Sequence, residues 1–279
     1  TGYDLNKLYT GSLGTLGVIL EASFKLLPRD PQSGVLMASF PTLAASIGAG
    51  RKLLHSSAAP LGFHSVSSGV ARRLQDSGRA ASQDLKLGDE ETALSFSFFS
   101  GRAQATRRRL DEAAALLIAE GANAVQRLEG DDAKGMLRWI TDVPSEISPN
   151  STLVMKVSVQ SNSIARASAE CRDFPLFGLR PEQMADPGFG AVKLLWEESP
   201  NRPTQGGGSE QPILDTVQKV RQIANQYQGS AVVEHCPLSV KRQIDVWGDP
   251  PDSMEVMQAI KKRFDPGDNL NPGRFLGGI

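Results

Sequence analysis

Apolar and polar positions change over in short blocks along the chain, and glycine, proline or small polar residues punctuate most of the changes. Residues 16–27, LGVILEASFKLL, open as a continuous apolar run and then alternate around Glu21, Ser23 and Lys25, which predicts a strand ended by Pro28. From Gly34 the pattern takes turns: VLMASF predicts a strand, residues 42–54 a helix and residues 61–66 another strand. TALSFSFF at 92–99 predicts a strand, 103–120 a helix with an Ala/Leu face and an Arg face stopped by Gly121, and 123–128 a further strand. LVMKVSVQ at 153–160 predicts a strand followed by a helix from Ser163, a plausible cap. Residues 189–197 read as a strand, and the Pro/Gly-rich stretch 199–208, SPNRPTQGGG, as a mobile loop. A helix at 213–227, with Ile213, Val217, Val220 and Ile223 on one face, a strand at 231–234 and a helix at 254–264 complete the set. This grammar is α+β, and its βαββαβ order points to a ferredoxin-like sheet.

Composition narrows the partners. The chain has 279 residues and 40% hydrophobic content, enough for one large or two smaller domains with real cores. With 30 basic and 31 acidic residues, it exerts no bulk pull on nucleic acid or an anionic membrane. Arg107, Arg108 and Arg109 are followed by Asp111 and Glu112, the composition of a solvated helix face, and no aromatic residues interleave the basic run, so no nucleic acid is expected. Cys171 and Cys236 form no CxxC, which fits a reducing, cytosolic setting and packing roles. No apolar run approaches the roughly 20 residues of a membrane span, and no secretory leader pattern is present. His55, His64 and His235 lack the close spacing of metal ligands, so no metal is expected.

Chemistry concentrates near the start. In GYDLNKLYTGSLGTLGVI, Gly11, Gly14 and Gly17 recur every third residue just before the first predicted strand. Missing side chains there let backbone N–H groups approach a bulky ligand, with Ser12 and Thr15 as added hydroxyls. The spacing lacks the GxG pair of a Rossmann loop and the GK[ST] of a P-loop, and a strand follows instead of a helix, so a helix dipole is not the binding device. A tight glycine-bearing turn without a ligand would look the same.

The longer string is more specific. D-L-x-x-L-x-x-G-S-x-G-T-L-G-V-I-x-E-A-x-x-K-L-L-P, from Asp4 to Pro28, resembles the end of the FAD domain in vanillyl-alcohol-oxidase-type FAD-linked oxidases. F-D-P-x-x-x-L-N-P-G-R, Phe264 to Arg274, resembles the tail that returns to the flavin domain in that superfamily. H-C-P-L-S-V-K-R-Q-I-D-V-W-G, from His235 to Gly248, is similar to the corresponding segment in the FAD-binding E-subunit family of bacterial glycolate oxidases. The resemblance implies an α+β chain in three parts: a C-terminal remnant of a VAO/PCMH-type FAD-binding domain at 1–30, a ferredoxin-like cap domain at 31–248, and a helix and tail at 249–279 packing on the FAD domain. It implies FAD as cofactor, held along its isoalloxazine and ribityl part by Gly11, Gly14, Gly17, Val18 and Ile19, by the hydroxyls of Ser12 and Thr15, and by the returning Asn271 and Arg274. Many relatives carry an acidic residue where Leu13 stands, a departure that narrows the subfamily. The Gly-rich pyrophosphate loop that precedes this region in the superfamily is not in the sequence, which begins at Thr1, so a C-terminal fragment is expected.

The implied activity is oxidation of a small 2-hydroxy acid such as glycolate, with electrons leaving through a larger FAD subunit and an iron–sulfur subunit. The implied location is the cytoplasm, with contact to the inner face of the membrane through those partners. Two alternatives stand beside it: a flavin relay or scaffold without a substrate site, and an FAD-linked oxidase of another alcohol. Catalytic candidates are weak. Lys156, a charge on an apolar strand, could meet a ligand carboxylate or simply point outward. His235 could accept a proton at the flavin edge or be a structural histidine at a strand end.

Overall fold

The computed structural model describes residues 4–26, 28, 30–76, 91–199 and 210–279. The loop expected at 199–208 lies, apart from Ser199, outside the described residues. The chain divides into two compact units, a smaller one of Thr1–Pro28 with Lys241–Ile279 and a larger one of Arg29–Val240.

The smaller unit opens with a short helix, α1 (Leu5–Tyr9). The larger unit then runs β1 (Gln32–Phe40), α2 (Leu43–Leu54), β2 (Gly62–Val66), α3 (Ser68–Asp76), β3 (Ala93–Gly101), α4 (Ala103–Ala119), β4 (Ala124–Glu129) and α5 (Gly130–Ile147). It continues with β5 (Ser151–Ser158), α6 (Ile164–Arg172), β6 (Glu182–Asp186), β7 (Ala191–Glu197), α7 (Glu210–Gln226), β8 (Ser230–His235) and α8 (Leu238–Lys241). All eight strands join one sheet in the order β4-β1-β3-β2-β6-β7-β5-β8, every neighbouring pair antiparallel.

That order resolves into two halves of βαββαβ type, the first with helix α3 added between β2 and β3. Strands β1 to β4 lie 4-1-3-2, strands β5 to β8 repeat the arrangement in mirror order, and the halves meet edge to edge where β2 pairs β6 through Ser65 and Val66. The sequence suggested such a unit once; the structure contains the connectivity twice. No sequence period discloses the doubling, because strand alternation constrains polarity and leaves residue identity free.

Alternating side chains give the sheet two unlike faces. Leu36, Ala38, Phe40, Phe63 and Phe99 pack against α2 and α4 on one face. Val35, Met37, Leu94, Phe96 and Phe98 pack on the other against Val70 and Leu74 of α3 and Met136, Trp139, Ile140 and Val143 of α5. Helix α2 starts where Thr42 accepts the Ala45 N–H at 3.1 Å, and α4 stops at Gly121, whose φ of +91° only glycine adopts at little cost.

Helices α3 and α5 and strand β6 escape the sequence reading, as do the short helices α1 and α8. Helix α5 carries Gly130, Gly135 and Pro144, residues that punctuate, yet its buried Ala133, Met136, Ile140, Val143 and Ile147 keep the helical spacing. Helix α3 and strand β6 are short, and the charged ends of β6 hide an in-and-out alternation that only burial reveals.

One expectation is overturned. Residues 16–26, expected as a strand, are irregular. A strand exists through hydrogen bonds to a neighbour, and among the described residues none pairs with this segment.

Candidate functional site

The smaller unit brings its two sequence-distant ends together. Helix α9 (Met254–Phe264) and the tail that follows it lie against the glycine loop. Lys261 of α9 is only 7% exposed, and its Nζ donates to the Thr15 carbonyl at 3.0 Å, the Leu270 carbonyl at 2.9 Å and Asp265 Oδ2 at 2.7 Å, with Asp268 Oδ1 at 3.2 Å. One ammonium thus ties loop, helix and tail. Burial pulls its pKa down, but the hydrogen bonds to Asp265 and Asp268 outweigh that and leave it above the ordinary lysine value. The Lys261 hydrogen bond, aided by the backbone N–H groups of Leu270 and Asn269, holds the Asp265 carboxyl down at about 2.

A second tie runs through Asn271, whose Nδ2 donates to the Leu13 carbonyl at 2.7 Å from a backbone at φ 44°. Gly14, at φ +76°, faces that amide: a Cβ on it would lie 2.8 Å from Asn271 Nδ2. Both the left-handed backbone and the amide approach demand glycine here. Gly14→Ala is therefore expected to cost at least about 1 kcal/mol in backbone strain alone. It should push Asn271 off Leu13 and lower retained flavin in the full-length protein several-fold, as read from the flavin-to-protein absorbance ratio; an unchanged ratio would show that the tie does not shape the site.

The loop's other groups divide by role. Thr15 is 1% exposed and its hydroxyl donates to the Ser12 carbonyl at 2.8 Å, so it braces the turn. Ser12 and Gly11 line a cavity of about 220 Å³ together with Leu8, Met257, Ile260 and Phe275. Tyr9 stacks edge-on against Phe264 at 5.9 Å, and a Cβ on Gly17 would come within 3.1 Å of the Tyr9 ring. Beyond Thr15, the backbone N–H groups of Leu16, Gly17, Val18, Ile19 and Leu20 have no hydrogen-bond partner among the described residues. The side chains there are open too, with Val18 73%, Ile19 67% and Leu20 92% exposed. Arg274 is exposed, its backbone N–H bonded to the Asn271 carbonyl at 3.1 Å.

The remaining candidates sit in the larger unit. Lys156 is exposed on β5, and His235 is the exposed last residue of β8, opposite Val154. His64 lies on β2 with Nδ1 3.9 Å from Asp186, its pKa lowered by burial against the pull of that carboxylate. Cys171 is buried, which pushes its thiol up to about 12. Among the described residues no three His, Cys, Asp or Glu gather as metal ligands, and no helix is long and apolar enough to cross a membrane.

Lys261 and Asp265 are the site residues that sequence reasoning missed. Their four-residue spacing at the end of a helix was visible, but it ordinarily marks an exposed pair.

Comparison with known proteins fits this geometry. Residues 203–275 match the sequence model of the C-terminal domain of FAD linked oxidases. Glycolate oxidase subunit GlcD of Escherichia coli is 25% identical over 99% of this chain and 54% of its own length, and its Bacillus subtilis namesake is 20% identical over 99% and 57%. An FAD-linked oxidoreductase of Mycobacterium tuberculosis is 25% identical, over 99% of this chain and 59% of that protein. The chain spans rather more than half the length of these curated relatives. Among solved structures, alkyldihydroxyacetonephosphate synthase superposes with a TM-score of 0.65 at 15% identity, covering 98% of this chain and 51% of that one. p-Cresol methylhydroxylase gives 0.56 at 14%, covering 90% and 54%. These two share the fold. FAD is the cofactor that these similarities support.

Proposed function

We propose that the chain is part of a flavin-binding subunit of a glycolate-oxidase-type enzyme, of the E-subunit family, which oxidises a small 2-hydroxy acid and passes electrons to a larger FAD subunit and an iron–sulfur subunit. The observation that carries the flavin role is the run of unbonded N–H groups from Leu16 to Leu20 beside exposed Val18 and Ile19. A flat heteroaromatic ring with carbonyl and imine acceptors on its edge complements both at once: the N–H groups meet the acceptors and the apolar side chains meet the ring.

In this reading the backbone of Gly14, Gly17, Val18 and Ile19 contacts the ring and ribityl chain, with Gly11 and Ser12 beside it. Thr15 holds the loop's shape, and Asn271 and Arg274 bound it from the tail. The bound FAD supplies the acceptor for a two-electron oxidation, while the protein orients it and sets the electrostatics around it. Lys261 holds the Thr15 carbonyl, where that run of N–H groups begins.

The test is anaerobic addition of glycolate or D-lactate to the full-length subunit without partners. Stoichiometric bleaching of the flavin is expected. A flavin that stays oxidised until the partner subunits are added would instead identify a relay, and bleaching only by uncharged alcohols would assign another substrate class.

A further inference from the structure

Within the larger unit, the two halves of the sheet meet over a short seam. Ser65 pairs Ala185 and Val66 pairs Met184, and β2 and β6 share no further strand pair among the described residues. Ser67 closes the join: its backbone N–H donates to the Gln183 carbonyl at 2.9 Å, and its hydroxyl accepts the Gln183 N–H at 2.9 Å and donates to the Glu182 carboxylate. Beside this join opens a cavity of about 350 Å³.

Arginines from three elements line it: Arg72 of α3, Arg172 at the end of α6, and Arg180 in the loop that enters β6. Glu182 is the one carboxylate in the lining, and Ser67 already engages it. Arg172 is paired with Glu91. The guanidiniums of Arg72 and Arg180 have neither an ion pair nor a hydrogen bond among the described residues. Two positive charges, one from each half of the sheet, thus meet at one cavity without a counter-charge.

Arg180 leaves a rigid turn. Leu176 and Leu179 exchange backbone hydrogen bonds of 2.9 and 3.1 Å around Phe177 and Gly178, whose φ values of 50° and 84° are those of a tight primed turn. A left-handed phenylalanine is strained, and its surroundings hold it there. The Phe177 carbonyl accepts the Ser199 hydroxyl at 2.9 Å, the Phe174 carbonyl accepts the Trp196 indole N–H at 2.9 Å, and Leu176 is buried. The buried Pro181 then confines Arg180 to extended backbone.

We infer that this cavity binds a small phosphate monoester, clamped between Arg72 and Arg180. The planar guanidinium fork matches phosphate oxygens bidentately. A phosphate monoester carries about −1.5 to −2 near neutral pH, the charge that two unpaired guanidiniums balance. The cavity is larger than a bare phosphate needs, and Leu179 and Pro181 give the organic part an apolar wall.

Calorimetric titration of the full-length subunit with glycerol 3-phosphate, inorganic phosphate, malonate and glycerol tests this. Glycerol 3-phosphate is expected to bind tightest, inorganic phosphate and malonate several-fold more weakly, and glycerol not at all. Arg72→Gln and Arg180→Gln should each weaken glycerol 3-phosphate binding on the order of tenfold, the weight of one hydrogen bond to a charged group, with flavin content unchanged. Arg166→Gln removes the same charge from α6 outside the cavity, where Arg166 lies over the Tyr227 ring, and should leave binding as it was. Binding that survives both cavity variants, or that falls equally in Arg166→Gln, would overturn the inference, as would no binding of glycerol 3-phosphate. Equal affinity for inorganic phosphate would make the free ion the ligand, and equal affinity for malonate a dicarboxylate; either result overturns the monoester assignment.

Discussion

Trp196→Ala is expected to destabilise the larger unit by about 4 kcal/mol, within the range for truncating a buried aromatic residue. Trp196 is fully buried in β7, on the opposite face from Leu195, and its indole Nε1–H donates to the Phe174 carbonyl at 2.9 Å where the chain leaves α6. The residue thus fills the layer beneath α6 and α7 and also tethers α6 to the sheet. Alanine opens a cavity that neighbouring strands cannot collapse, since the antiparallel ladder fixes their spacing. Trp196→Phe keeps most of the apolar contact and loses the tether, so its cost should be less than half as large. Urea unfolding of the full-length protein, with equal m-values, checks this. Equal midpoints for the two variants would mean that the hydrogen bond, and not the packing, dominates.

Lys261→Met should release the glycine loop from the tail. The methionine retains much of the aliphatic bulk but removes the donor shared by the Thr15 and Leu270 carbonyls and the counter-charge of Asp265. A hydrogen bond to a charged group is worth about a factor of ten or more, so flavin retention in the full-length protein should fall on the order of tenfold. The pH dependence gives a second reading. Folding lowers Asp265 from 3.8 to about 2, so it favours the charged form. The stability it contributes is complete above pH 3.8 and is lost as pH falls through about 2. In Lys261→Met the carboxyl loses the main cause of its depression, and that segment of the acid unfolding curve should flatten. An acid limb identical to that of the parent would show that Leu270 and Asn269 hold Asp265 without the lysine.

The ends of the chain were the most legible part of the sequence, and for a local reason. Gly14 and Asn271 answer to backbone conformations that few residues adopt, at φ +76° and φ 44°, so their identities persist as a readable string. The strands β1, β3, β5 and β7 and the helices α2, α4, α7 and α9 announced themselves through periodicity. Helix α5 did not, because glycine and proline inside it signal a break that burial of Trp139 and Met136 overrides.

Residue pattern alone sufficed to read the chain as α+β, to show which residues alternate into the core, and to locate the resemblance to flavoproteins in a glycine loop and an Asn-Pro-Gly-Arg tail. The joining of two βαββαβ-type halves, the first with α3 added, came from strand pairing in space, since pairing of β2 with β6 is a choice among strand edges that no local pattern encodes. Tertiary structure also decided that residues 16–26 stay irregular for want of a neighbouring strand, and that Lys261 is a buried tie instead of a solvated charge. Lys156 changed meaning in the same way: a lone charge on an apolar strand became half of a facing lysine pair, because cross-strand register is set by contacts between residues far apart in the chain.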